Sequence, residues 1–322
     1  MDSSKPPLLL IIGPTASGKT ALAMALSDRL NGQLISADSA QVYRGLNIGA
    51  AKPSAEELRR WPHQLIDICE PTYHYSVADF VVDAKRAIEE AHTVGKLPIV
   101  VGGSMLYCRA LLEGMSTLPA ADQAVRKELR QQAAEQGWPA LHQQLAIVDP
   151  VTAAQLHPNH GQRIERALEV YQLTDRPLSA WHAESRSVAV ASTYHTEQLL
   201  LTPNNRTLLH QRIEQRFNLM VQNGFIEEVQ ELYRRTDLHA DLPALRAAGY
   251  RQLWQYCAGE LTLQQAVEQG IAATRQLAKR QLTWMRSWPV GERILVDDGE
   301  SYKSCEDILQ VALKSTAVSG IS

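Results

Sequence analysis

Five apolar residues, Leu8–Ile12, run straight into the octet Gly13–Thr20, GPTASGKT. The octet fits G-x-x-x-x-G-K-[ST], and the apolar run before it reads as a buried strand. A strand that ends in such a turn and restarts as a helix leaves successive backbone N–H groups facing one concavity. The positive end of the new helix lies behind them. Pro14, Thr15, Ala16 and Ser17 form the turn, and Gly13 and Gly18 permit backbone geometry that larger residues resist. Lys19 adds a fixed positive charge, and the Thr20 hydroxyl suits a magnesium ion. The stretch is therefore a phosphate site at the carboxyl edge of a sheet.

The rest of the first third supports such a sheet. Gln33–Ser36, Gln64–Ile68 and Leu97–Val101 read as further strands, and Lys19–Leu30 and Val77–Thr93 as helices between them. Ser76 followed by Asp79 predicts a capping box at the start of the second helix. Alternating strands and helices imply βαβ units and a mostly parallel sheet. From Leu118 strand signals vanish in favour of amphipathic helical stretches, and they return at Glu197–Pro203 and Arg293–Asp298. The expected class is α/β, a P-loop NTPase-like parallel sheet flanked by helices, with an all-helical insertion. The boundaries read as 1–117 and 190–322 for the core and 118–189 for the insertion. The tail Ser315–Ser322 looks frayed.

The formal charge of −3 over 322 residues excludes a uniformly basic coat for nucleic acid but not a local basic face. No apolar run approaches the ~18 residues needed to span a bilayer. The apolar stretch near the N-terminus is too short for a signal peptide. The four cysteines (Cys69, Cys108, Cys257, Cys305) form no C-x-x-C pair, which predicts a reduced, cytoplasmic protein.

Further chemistry gathers at four places. Asp38, just past a strand end, is open to three roles: general base, magnesium-shell carboxylate, or cap of a following turn. Ser104, after Gly102 and Gly103, either reaches the same sheet edge or caps the helix beginning at Met105, and the two are compatible. Arg212 and Arg216 share a helix face, read either as a phosphate clamp or as a solvated face beside Glu214. The stretch Ile271–Trp288 carries Arg275, Lys279, Arg280 and Arg286 with no acid, and Trp284 and Trp288 accompany them. It suits RNA, or else is a basic solvated helix with core tryptophans. Arg163 and Arg166 add charge on another helix, and His157 and His160 before it read as loop rather than metal ligands.

Read together, GPTASGKTALA, LISADSAQVYRGLNIGAAKP, HQLIDI, YSVADF, PIVVGGSMLY, LHPNHGQRIERALEV, HQRIEQRF, LPALRAAGYRQ and ATRQLAKRQLTWMR resemble the tRNA dimethylallyltransferases of bacterial type. The segments run in order from residue 13 to 286. Members usually carry Thr at the position of Ser104, and the zinc-finger extension of eukaryotic relatives is absent. The resemblance implies transfer of a dimethylallyl group from dimethylallyl diphosphate, with magnesium, to N6 of adenosine 37. The acceptors are tRNAs that read codons beginning with U. It implies catalytic roles for Asp38, Ser104, Arg216 and Lys19, and diphosphate binding by Gly13–Thr20 and Arg212. Contacts to the tRNA anticodon stem-loop are implied for Asp38, Ser39, Ala40, Gln41, Ser104, Arg126, Gln162, Arg163, Ile164, Glu165 and Arg166. The same holds for Arg246, Gly249, Tyr250, Arg251, Arg275, Lys279, Arg280 and Gln281. A monomer that binds no membrane is expected. Rival readings are a P-loop kinase of a nucleoside or other small molecule, and a nucleotide-switched RNA-binding module without catalysis. No arginine-rich lid segment favours the kinase, and the long basic C-terminal region favours tRNA over free AMP as acceptor.

Overall fold

The computed structural model describes residues 5–116, 118–184 and 189–319. Six parallel strands form one sheet in the order β3-β2-β4-β1-β5-β6. They are β1 (Pro7–Ile12), β2 (Gly32–Ala37), β3 (His63–Gln64), β4 (Leu97–Gly102), β5 (His195–Thr202) and β6 (Glu292–Leu295). β1 lies between β4 and β5, with Ile11 opposite Val101 on one side and Leu199 on the other. Helices cover both faces of a parallel sheet, so such a strand must be apolar on both sides. Leu8–Ile12 are accordingly buried without alternation. One face packs Leu22 and Leu26 of the helix Lys19–Leu30 against Leu9, Ile11, Ile99, Leu199 and Ile294.

The helix Val77–Thr93 starts at the expected capping box, with Ser76 and Asp79 satisfying each other's backbone N–H groups. Two expectations need correction. The predicted strand Gln64–Ile68 survives only as His63–Gln64, because Leu65 and Asp67 adopt left-handed φ values of 64° and 56°. A strand cannot continue through that geometry. The tail is not frayed where it is described: Thr316–Ser319 is helical, and Ala317 and Val318 sit in the core beside Ile308 and Leu309.

The chain divides into two compact units, Met1–Leu112 with Val190–Ser322, and Glu113–Ala189. The second unit contains the helices Gln123–Gln136, Trp138–Val148, Pro150–Gln155, Gly161–Thr174 and Leu178–Glu184. Its core is built from Leu129, Leu141, Leu145, Ile164 and Leu168. Beside that core the fully buried Glu169 accepts from Arg126 (2.8 and 3.0 Å), Arg166 (2.6 Å) and the Asp122 N–H (2.8 Å). Burial alone would raise its pKa, but the hydrogen bonds from Arg126 and Arg166 hold it below the usual range. This contribution is therefore full above the ordinary glutamate range and is lost as pH falls through the lowered folded value. Glu169→Gln should destabilise the full chain by about 2–3 kcal/mol. Thermal melting at neutral pH checks this, and the difference from the unmodified chain should shrink toward pH 3.

Candidate active site

The phosphate loop joins β1 to the helix Lys19–Leu30. Gly18 stands at the helix N-cap with φ of 87°, a conformation only glycine adopts freely. Ala16 also lies in the left-handed region at 63°. The Ser17 hydroxyl is buried without a partner, so the loop holds an orphaned polar atom that a ligand can satisfy. The Lys19 ammonium donates to the Pro14 carbonyl at 3.3 Å. Burial lowers its pKa to about 8, against the opposing pull of Asp38.

Three distant segments close around this loop. Arg216, on the helix Arg206–Gln222, donates to the Thr15 hydroxyl at 2.6 Å. Burial lowers its pKa too, and Asp38 opposes the shift. Arg212 stacks its guanidinium 4.4 Å from the Tyr302 ring centroid, and its Nη2 lies near Gly18. The arginine pair thus faces the phosphate loop. Glu214 points elsewhere and pairs with Arg275 at 2.6 Å. Gln281, on the helix Leu263–Arg286, accepts the Thr15 N–H and donates to the Gly103 carbonyl, both at 2.9 Å.

Asp38 follows β2, and its Oδ1 accepts the Ala40 N–H at 2.9 Å, so the turn-capping reading is correct as geometry. Asp38 also lines the cleft together with Thr15, Lys19, Thr20 and Arg216. The Ser104 hydroxyl accepts the Ser39 N–H at 3.0 Å and donates to the Ser39 hydroxyl at 3.2 Å. Ser104 meets its own helix through its backbone carbonyl, which accepts from Tyr107 and Cys108. The cleft is also lined by Gly49, Ala50 and Ala51 and by the apolar residues Ile213, Phe217, Met220 and Leu277, and Ile213 packs with Ala16 of the loop itself. Charged and apolar residues lining one cleft suit a substrate that is part phosphate and part hydrocarbon.

Several residues expected at the RNA surface are buried in the folded chain. Gln281 is buried with its amide fully engaged in joining the phosphate loop to the end of β4. Tyr250 is fully buried, and its hydroxyl donates to Glu228 at 2.6 Å. Gly249 is buried beneath Phe225 and Phe217. Ile164 belongs to the core of the helical unit, where the buried Glu165 is paired with Arg130. Trp288 is a core residue whose indole donates to Gln198, while Trp284 is half-buried near Arg109. Arg246, Arg251, Lys279, Arg280, Gln162 and Arg163 are exposed, each on its own unit.

Two more polar residues line the cleft: His63, which has no sequence signal, and Gln41, which the resemblance implied at the tRNA. His63 donates from Nδ1 to the Trp61 carbonyl at 2.7 Å, which leaves Nε2 a buried acceptor without a partner. Burial keeps its pKa below the ordinary histidine value. Gln41 donates to the carbonyls of Ala50 and Ala51 and accepts from Ser36.

No cluster of three metal-ligating His, Cys, Asp or Glu side chains occurs among the described residues. Magnesium fits this donor set, because it takes one or two protein oxygens and completes its octahedron with phosphate and water. Thr20 and Asp38, both lining the cleft, carry oxygens of the kind it takes.

A phosphate ligand needs the charged form of Lys19. Inorganic diphosphate affinity should stay flat up to about pH 8, where the Lys19 ammonium titrates. Above that it should fall by up to about tenfold per pH unit. Calorimetric titration across pH 6.5–9.5 checks this, and an affinity independent of pH to the top of the range would be the contrary result.

This loop, this sheet and this cleft define a P-loop α/β enzyme acting on a phosphorylated substrate. A family model for IPP transferase matches residues 41–288. Over 325 residues the chain is 48% identical to tRNA dimethylallyltransferase 2 of Hahella chejuensis, covering 98% of both chains. It is 53% identical over 299 residues to the tRNA dimethylallyltransferase of Cupriavidus necator, covering 92% of both. A crystal structure of the tRNA isopentenylpyrophosphate transferase of Bacillus halodurans aligns with a TM-score of 0.66 at 37% identity. That alignment covers 95% of this chain and 94% of the other. The chain belongs to the IPP transferase family, whose members are prenyl-transferring enzymes.

Proposed function

We propose that the protein transfers the dimethylallyl group of dimethylallyl diphosphate to N6 of adenosine 37 in tRNAs that read codons beginning with U. The observation that carries the reading is the sharing of one cleft by Asp38, Lys19, Arg216 and an apolar wall. The exocyclic amine of adenine is a weak nucleophile, because its lone pair is delocalised into the ring. As the N6–C1 bond forms and the C1–O bond breaks, Asp38 accepts the N6 proton and diphosphate leaves with the bonding electrons. The allylic carbon tolerates positive charge, so much of the barrier lies in releasing the anion. The loop amides, Lys19 and the Arg216 guanidinium stabilise that anion in a site partly closed to water. Magnesium held by Thr20, when bound, would supply further charge neutralisation at the diphosphate.

Ser104 fixes Ser39 and thereby the Asp38–Ala40 turn. The target base leaves its stack to reach the cleft, as enzymes working on base atoms require. The exposed Arg246, Arg251, Lys279 and Arg280, with Gln162 and Arg163 of the helical unit, are assigned to the anticodon stem-loop. Under this reading the enzyme is a monomer acting on cytoplasmic tRNA.

The deciding experiment incubates the protein with unmodified tRNA, magnesium and labelled dimethylallyl diphosphate, with labelled ATP as a parallel donor. Label in tRNA adenosine supports the proposal. Phosphate transfer from ATP without prenylation overturns it.

A further inference from the structure

One stretch of the cleft lining carries little side chain. Gly49, Ala50 and Ala51 form it, and they lie in a loop without strand or helix partners. A loop of this kind keeps its shape only if its amides are satisfied elsewhere. Here the Glu228 carboxylate, 180 positions along the chain, does so. Its Oε2 accepts the N–H groups of Asn47 (3.0 Å) and Ile48 (2.7 Å). Its Oε1 accepts the Gly49 N–H (3.2 Å) and the Tyr250 hydroxyl (2.6 Å). The Tyr250 oxygen in turn accepts the Ala50 N–H at 3.1 Å. Four consecutive amides are thus held by one carboxylate and one phenol. Gly49 presses against the same support, since a Cβ there would stand 2.1 Å from the Phe225 ring. On the cleft side, Gln41 holds the carbonyls of Ala50 and Ala51.

We infer that Glu228, acting with Tyr250, is a positioning residue: it fixes the Asn47–Ala50 segment and so sets the stretch of cleft wall that Gly49 and Ala50 form. Glu228 touches neither the phosphate loop nor Asp38 through any hydrogen bond, so its effect falls on alignment and leaves anion binding intact. The inference rests on the transferase reading and deepens it. An ionised carboxylate is needed because four donors meet two oxygens, and glutamine at 228 would turn one acceptor into a donor facing donors.

The test compares Glu228→Gln and Tyr250→Phe with the unmodified full-length protein. Amide hydrogen exchange at 47–50, inorganic diphosphate affinity and prenyl-transfer kcat are measured for each. Glu228→Gln should speed exchange at 47–50 and lower kcat roughly ten- to a hundredfold, as small misalignments of reacting groups do. Its diphosphate affinity should stay within about twofold of the unmodified protein, consistent with an intact phosphate loop. Tyr250→Phe should speed exchange mainly at Ala50, with a smaller fall in kcat. Unchanged exchange in Glu228→Gln overturns the anchoring, and faster exchange with unchanged kcat overturns the positioning role. If Glu228→Gln does not fold, Tyr250→Phe decides, and kcat equal to the unmodified protein's overturns the inference. Absence of any transfer by the unmodified protein would instead strike the transferase reading, and exchange at 47–50 alone would then decide the anchor.

Discussion

Asp38→Asn should lower prenyl-transfer turnover by ~10²–10⁴-fold while tRNA affinity changes little. The range is that of a lost general base. Asparagine keeps the size of the side chain and an oxygen for the Ala40 N–H, so the turn that Asp38 caps at 2.9 Å persists. It cannot accept a proton from N6 as the new bond forms. Turnover and tRNA binding must be measured on the same preparation, because the distinction lies in their separation. A protein that only binds RNA would tolerate the change in both. Transfer at the unmodified rate would remove Asp38 from the base role, and equal losses in turnover and tRNA affinity would make it a binding residue.

The second large effect is expected at Arg216. Arg216→Gln should lower kcat by ~10²–10³-fold, the usual consequence of removing one charged donor from developing anionic charge. The guanidinium is part-buried, lies against Thr15 of the phosphate loop and shares the cleft with Asp38. Arg212→Gln provides the contrast. Its guanidinium stacks on Tyr302 near Gly18, so its loss should weaken diphosphate binding more than it slows turnover. Steady-state kinetics with varied dimethylallyl diphosphate separates the two. A larger fall in kcat for Arg212→Gln than for Arg216→Gln would reverse the assignment.

Much of the core could be read in the chain because its signals are local. The apolar run before the glycine-rich turn, the Ser76–Asp79 capping box and the helix Lys19–Leu30 each depend on neighbouring residues. The predicted strand at Gln64–Ile68 failed because two residues turned left-handed for reasons that apolar patterning does not record. The tail misled in another way. Small and polar residues suggested fraying, but Ala317 and Val318 fill space against the core.

At the site, the sequence by itself determined the phosphate loop, a pattern of residue types at a telling spacing, and left Asp38 and the Arg212–Arg216 pair open between site and structural roles. Tertiary structure decided which of these face one another and what stands behind them. It brought Gln281 to Thr15 across 266 positions and Glu228 to the Asn47–Gly49 amides across about 180. It also buried Tyr250 and Gln281, which the resemblance implied at the tRNA, and decided for Trp288 between the RNA-facing and core readings that the sequence left open. The physical reason is that an isolated Glu, Gln or Tyr carries no local signature. Its role is set by the donors and acceptors that folding buries beside it, and only the folded chain says which ones those are.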